Sequence, residues 1–205
     1  MTYRLTRRAA LGAALAAAVA PALGRRAEAL ETQGFALDDM VMGAEDAPVT
    51  IVEYSSLTCP HCATFHTRTW PEIERRFVRT GQARLIFREV YFDQLGLWGS
   101  MVARCGGEEP FFDIISTLFE RQGEWSRAED PAAELRRIGR VAGLSDERLQ
   151  ECLTDEAYMR RLVERFQETA GADGIRSTPS FLINGELHTG AMGVEQFAAL
   201  IERHL

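Results

Sequence analysis

Four consecutive residues in this 205-residue chain, Cys59-Pro60-His61-Cys62, have the side chains and the spacing for covalent chemistry. Proline suits the first position of a helix, where its missing N–H costs nothing, so a helix is expected to open at Cys59-Pro60. That places the first sulfur where unpaired backbone N–H groups and the helix dipole favour an anion. Cys59 is therefore expected to be a thiolate when reduced, and Cys62, one turn on and facing the body of the protein, the thiol that resolves an adduct at Cys59. His61 is expected to donate a hydrogen bond or a positive charge to the Cys59 sulfur and lower its pKa further. Two other readings compete: half of a zinc site, and a purely structural bridge. Zinc takes four ligands, and although His66 is near, no second Cys-x-x-Cys or histidine pair follows, while Cys105 and Cys152 stand far along the chain. A bridge across two residues closes a tiny loop and stabilises little. The residues favour a redox pair, which calls for no metal and no cofactor. His66, His188 and His204 read as surface or packing residues without a role.

The flanking sequence supplies elements to hold such a pair. Residues 47–54 are rich in β-branched side chains, with Pro48 at their entry, as for a buried strand. The helix from Cys59 should kink near Trp70-Pro71, a second helical stretch over 72–80 stops at Gly81, and residues 83–90 read as the next strand. This βαβ order implies parallel strands. Residues 93–172 change to amphipathic helices, with Asp130-Pro131 and Ser145 as helix starts and Gly143 as a stop. Phe112, Ile115 and Phe119, and likewise Met159, Leu162, Val163 and Phe166, recur at helical spacing and read as core. Strand returns at 181–183, Asn184-Gly185 is a favoured hairpin turn into a partner strand at 186–189, and a helix over 194–204 follows.

Composition sets the compartment. Arg4, Arg7 and Arg8 precede an apolar run at 9–23, and Ala27-Glu28-Ala29 offers small residues for cleavage, so residues 1–29 read as an export signal peptide. Residues 6–11 also resemble the twin-arginine export motif. The run is too short and too alanine-rich for a spanning helix to be the first choice. All 23 basic residues are arginine, which excludes a catalytic lysine. Without residues 1–29 the formal charge is −11, and nucleic acid is an unsuited partner. In an oxidising compartment disulfides persist, so Cys105 and Cys152 are expected to form a second, structural bridge tying two helices; two free buried cysteines are the alternative.

Cys-Pro-His-Cys after a strand, a helical stretch, then Ser177-Thr178-Pro179-Ser180-Phe181 before a hairpin resembles a DsbA-like thioredoxin-fold oxidoreductase over residues 38–205. The resemblance implies an α/β thioredoxin fold, a central mixed sheet flanked by helices, with residues 30–92 and 173–205 forming that fold and 93–172 an inserted all-helical subdomain. It implies that Pro179 is cis and beside the active disulfide, and that Thr178 pairs its backbone with bound substrate. It also implies that Glu53 assists proton transfer to the buried cysteine; a carboxyl in an apolar strand has a physical reason to do so, whereas on an edge strand it would face water. The activity implied is a periplasmic dithiol oxidase that passes its disulfide to exported proteins with free thiols and is reoxidised by a DsbB-like membrane quinone reductase. Family magnitudes set the direction: a cysteine pKa of about 3.5 in DsbA against about 7 in thioredoxin accounts for about 90 of the roughly 150 mV between them. With only some 20 residues ahead of the first expected strand, a monomer fits better than a dimeric isomerase. An isomerase or reductase of the same fold, and a non-catalytic chaperone or metal carrier, are the alternatives.

Overall fold

The computed structural model describes residue 35 and residues 37–205. The export signal expected at 1–29, with its twin-arginine motif, lies outside the described residues.

The sheet forms where β-branched and aromatic residues alternate. Strand β1 (Met40–Met42), β2 (Val49–Ser55), β3 (Ala83–Glu89), β4 (Ser180–Ile183) and β5 (Glu186–Thr189) form one mixed sheet in the order β1-β3-β2-β4-β5. β2 runs parallel to β3 and antiparallel to β4, so it is central and its side chains are covered on both faces. β1, antiparallel to β3, is an element the sequence pattern did not reveal. The β4–β5 turn is Asn184-Gly185, both at positive φ (47° and 89°), as a two-residue hairpin requires. Asn184 pins this turn to β2 by accepting a hydrogen bond from the Thr50 N–H (2.8 Å).

Nine α-helices occur among the described residues. α1 (Pro60–Arg68) and α2 (Trp70–Ile73) are separated at Thr69, where the kink is expected. The expected α-helix over 72–80 is instead α2 followed by a π-helical turn, Glu74–Val78, closed by the Arg79 N–H donating to the Glu74 carbonyl at 2.9 Å. Six helices then separate β3 from β4: α3 (Gln94–Cys105), α4 (Glu108–Glu120), α5 (Gln122–Trp125), α6 (Pro131–Val141), α7 (Asp146–Thr154) and α8 (Glu156–Ala172). Their starts are fixed by side chains that accept from the first free N–H groups: Asp93 from Gly96, Asp130 from Ala133 and Ser145 from Arg148, each contributing about 1 kcal/mol. α9 (Val194–Glu202) closes the fold.

Two large apolar clusters hold these layers together. One packs Phe65 of α1 and Phe197 of α9 against Ile51, Leu85 and Phe181 of the sheet. The other joins Leu57, Cys62 and Phe87 to Val102, Phe111 and Trp125 from the helices between β3 and β4, so that helical segment shares its core with the cysteine pair. Cys105 and Cys152 are joined by a disulfide that ties α3 to α7 across 47 residues. On the chain-entropy model a loop of that length restricts the unfolded state by about 4 kcal/mol. Among the described residues, no helix is long and apolar enough to cross a membrane.

Candidate active site

Cys59 sits at the N-cap of α1 with extended backbone (φ −81°, ψ 120°), and Pro60 takes the first helical position. The loop before it is held from two sides. Thr58 Oγ1 donates to Asp93 Oδ2 (2.7 Å) at the start of α3, and Gln122 Nε2 donates to both the Leu57 and the Cys59 carbonyls (2.8 and 3.0 Å). Gln122 belongs to α5, and nothing in its local sequence marks it as a support of this loop.

The two sulfurs occupy opposite environments. Cys59 is half-buried, whereas Cys62 is 0% exposed and lies in the apolar cluster; both are free. A hydrogen bond from the Cys62 thiol is the largest influence on Cys59, and the Thr178 side chain and the backbone N–H groups of Cys62 and His61 add to it. Against partial burial these bring the Cys59 thiol down from 9.0 to about 5. Burial pushes the Cys62 thiol well up, and its bond to Cys59 adds to that. His61 acts on Cys59 through its backbone N–H, and the residue is exposed beside the sulfur's helix start.

The Thr178–Pro179 peptide is cis, and the Cys59 thiol donates to the Thr178 carbonyl at 3.5 Å, although 119 residues separate them. The hydroxyls of Thr178 and Ser55 are buried with no strict hydrogen-bond partner. Both lie near the sulfurs, where they favour the thiolate weakly.

Glu53 is 0% exposed on the central strand, which removes the edge-strand alternative. Its Oε1 lies 2.8 Å from His66 Nε2, and its Oε2 is buried without a hydrogen-bond partner. His66 is thus packed inside the fold, the second of the two readings expected of it, and it is also a partner of Glu53, which the sequence did not show. Its position four residues after Cys62, on the same face of α1, is the one sequence signal that pointed to it.

The depressed Cys59 thiol makes the stability of the reduced protein depend on pH. Its contribution is fully present above about pH 9 and is lost as pH falls through about 5. In the reduced protein, thiolate absorbance is expected to titrate with a midpoint near 5. A midpoint near the ordinary thiol value of about 8.5 would mean that the hydrogen bonds to the sulfur do not persist in solution.

A family model described as Thioredoxin matches residues 36–203. A Rickettsia bellii protein named as a protein-disulfide oxidoreductase is 30% identical over 167 residues, which cover 81% of this chain and 64% of that protein. The disulfide bond formation protein D of Bacillus subtilis is 27% identical, over 80% of this chain and 76% of its own length. The chain spans 60–64% of the length of the Rickettsia relatives it matches. Among solved structures, alpha-DsbA1 of Wolbachia pipientis superposes with a TM-score of 0.76 at 27% identity, covering 84% of this chain and 94% of that one.

Proposed function

This chain belongs to the thioredoxin family, with the thioredoxin fold and helical insertion of its DsbA-like members, and from that premise we propose that it is an exported protein dithiol oxidase. In this reading residues 30–92 and 173–205 form the thioredoxin part, residues 93–172 the insertion, and residues 1–29 a signal to the periplasm. The observation that carries the reading is the asymmetry of the two thiols: Cys59 brought down to about 5 and reachable, Cys62 pushed up and buried.

A substrate thiolate attacks the Cys59 sulfur of the Cys59–Cys62 disulfide. The S–S bond breaks, its electron pair goes to Cys62, and Cys62 takes up a proton. The substrate's second thiolate then attacks the substrate sulfur bound to Cys59, and Cys59 departs as a thiolate. A low leaving-group pKa makes that last step fast and the reduced state stable, which favours donation of the disulfide over its removal. Thr178 and Pro179, beside Cys59, would line the substrate strand, with the Thr178 backbone pairing to it. Glu53 would hold and return the proton of Cys62. Substrates are exported proteins with free thiols, the acting unit is a monomer, and reoxidation falls to a DsbB-like membrane quinone reductase.

The equilibrium potential separates this reading from an isomerase or reductase of the same fold. Equilibrated with glutathione buffers, acid-quenched and alkylated, the pair is expected to titrate near the roughly −120 mV of a strong oxidant. A value near −270 mV would reverse the proposal and mark a reductant.

A further inference from the structure

Cys62 must gain a proton each time its disulfide opens and lose it when the disulfide reforms, yet it is 0% exposed, and a substrate joined to Cys59 would cover the mouth of the site. The residues below Cys62 offer a second way out. His66 lies four residues further along α1, so the two side chains share a helix face with Cβ atoms about 5–6 Å apart. His66 Nε2 is 2.8 Å from Glu53 Oε1, and Glu53 Oε2 is left unpaired in the interior. The imidazole is fixed in place: it stacks on Phe119 of α4 (centroids 4.2 Å apart, planes at 14°) and meets the edge of Phe87 of β3. It is 8% exposed, and that small exposure opens into a cleft of about 300 Å³ between α2 and α4. The volume is about ten times the share of one water in the liquid. His66, on the lining of that cleft, is about 10 Å along the helix from Cys59 at 1.5 Å per residue.

We propose that His66 is a proton relay between the α2–α4 cleft and Glu53, supplying and draining the Cys62 proton at a point away from bound substrate. The inference rests on Cys62 being the resolving thiol. As a thiolate attacks Cys59 and the electron pair moves to Cys62, the Glu53 carboxyl gives its proton to the Cys62 sulfur. The His66 imidazole then draws a proton from water in the cleft and passes it to Glu53, so the carboxyl is restored and the ring is left as it began. Reoxidation runs the same steps in reverse. A buried carboxyl and imidazole carrying one proton between them are net neutral, so the relay adds no unpaired charge to the interior. The charged groups around the cleft are Glu74 and Arg79, paired with each other at 2.8 Å, and Asp113 and Glu120 of α4; Glu53 of β2 is the ionisable group that meets the ring itself. His66 acts through Glu53 and is a positioning and relay residue, not one that touches the sulfurs.

The test is the rate at which dithiothreitol reduces the Cys59–Cys62 disulfide, followed by acid quench and alkylation across pH in the wild type, His66→Ala and His66→Gln. General acid catalysis of this kind supports a loss of roughly a hundredfold near neutral pH in both variants. His66→Ala is expected to recover saturably with added imidazole entering the cleft. His66→Gln keeps a donor to Glu53 but carries no ionisable proton, and is expected to stay slow with its pH profile flattened. The Cys59 thiolate titration should be unchanged in both. Wild-type rates and profile in His66→Gln would overturn the relay, as would an equal loss in His66→Ala that imidazole does not restore. Dithiothreitol reduces the pair whatever its role in the cell, so a low equilibrium potential would remove the oxidase reading and leave this result standing.

Discussion

Cys59→Ser is expected to abolish disulfide transfer to a reduced substrate, and Cys62→Ser, whose Cys59 thiolate can attack a partner's disulfide and release its other sulfur, to accumulate mixed disulfides at Cys59. The size of the first effect follows from access. At pH 7 a thiol with a pKa of about 5 is about 99% thiolate, while one pushed above 9 is less than about 1%, a difference of about a hundredfold. Intrinsic nucleophilicity rises with pKa at a Brønsted slope of about 0.4–0.5, roughly threefold per unit, while for a pKa above the working pH each unit costs tenfold in thiolate, so a Cys62 pushed well above 9 stays the poorer nucleophile. Burial adds to this: Cys62 is 0% exposed and cannot replace Cys59 toward a protein substrate. In Cys62→Ser the internal thiol that would release a trapped partner is gone. Oxidation of a dithiol peptide reads the first outcome, and non-reducing gels and mass spectrometry after incubation with a disulfide-bonded peptide read the second. Adducts in Cys59→Ser, or full activity in it, would assign the reactive sulfur to the wrong cysteine.

A second large effect is expected far from the sulfurs. Arg104 of α3 and Glu89 of β3 meet through two parallel hydrogen bonds, Nε to Oε1 at 2.5 Å and Nη2 to Oε2 at 2.8 Å, with side chains 2% and 5% exposed. Arg104 also donates to the Asp38 carbonyl (3.1 Å) and lies over the Phe111 ring. Arg104→Ala leaves an uncompensated carboxylate in the interior and is expected to lower the unfolding free energy by about 3–5 kcal/mol. Urea denaturation of the oxidised protein measures it. The double variant Arg104→Met with Glu89→Leu should recover most of that loss, because well-packed apolar residues replace a buried pair at little cost. A single-variant effect under about 1 kcal/mol would mean that the pair is solvated, as surface pairs are. The same ion pair couples the helical segment to the sheet, so its loss should also loosen Gln122 and Asp93 at the loop that carries Cys59.

What the sequence disclosed and what it hid follow from the range of the interactions involved. Cys59-Pro60, Asp130-Pro131, Ser145 and Asn184-Gly185 are local signals, each completed within a few residues, and each lies where the pattern placed it. The helical segment between β3 and β4 was legible from the 3.6-residue period of its core side chains. β1 was not, because three residues are too few to show alternation and its partner is β3, more than 40 positions later. The π-helical turn was hidden for a related reason: a helical period does not reveal which carbonyl closes the turn. His66 was passed over because its partner, Glu53, lies 13 residues earlier on another element. A buried carboxylate demands a partner, and the i, i+4 relation to Cys62 pointed toward one; using both required knowing that β2 is central. Gln122 gave no signal at all, since its two acceptors are backbone carbonyls more than 60 residues upstream.

The sheet order has a temporal consequence. β2 and the helix that carries the cysteines are complete by Arg68, but β4, which lies against β2, and Thr178, whose carbonyl meets the Cys59 thiol, come only after the whole helical segment. A chain emerging from its N-terminus therefore displays two ordinary thiols long before Cys59 is lowered, because the bonds that lower it need α1 closed and the distant proline loop docked. Such long-range closure is slow. The chain thus carries two undistinguished thiols through most of its synthesis, and the difference between them is made at the last step of its assembly.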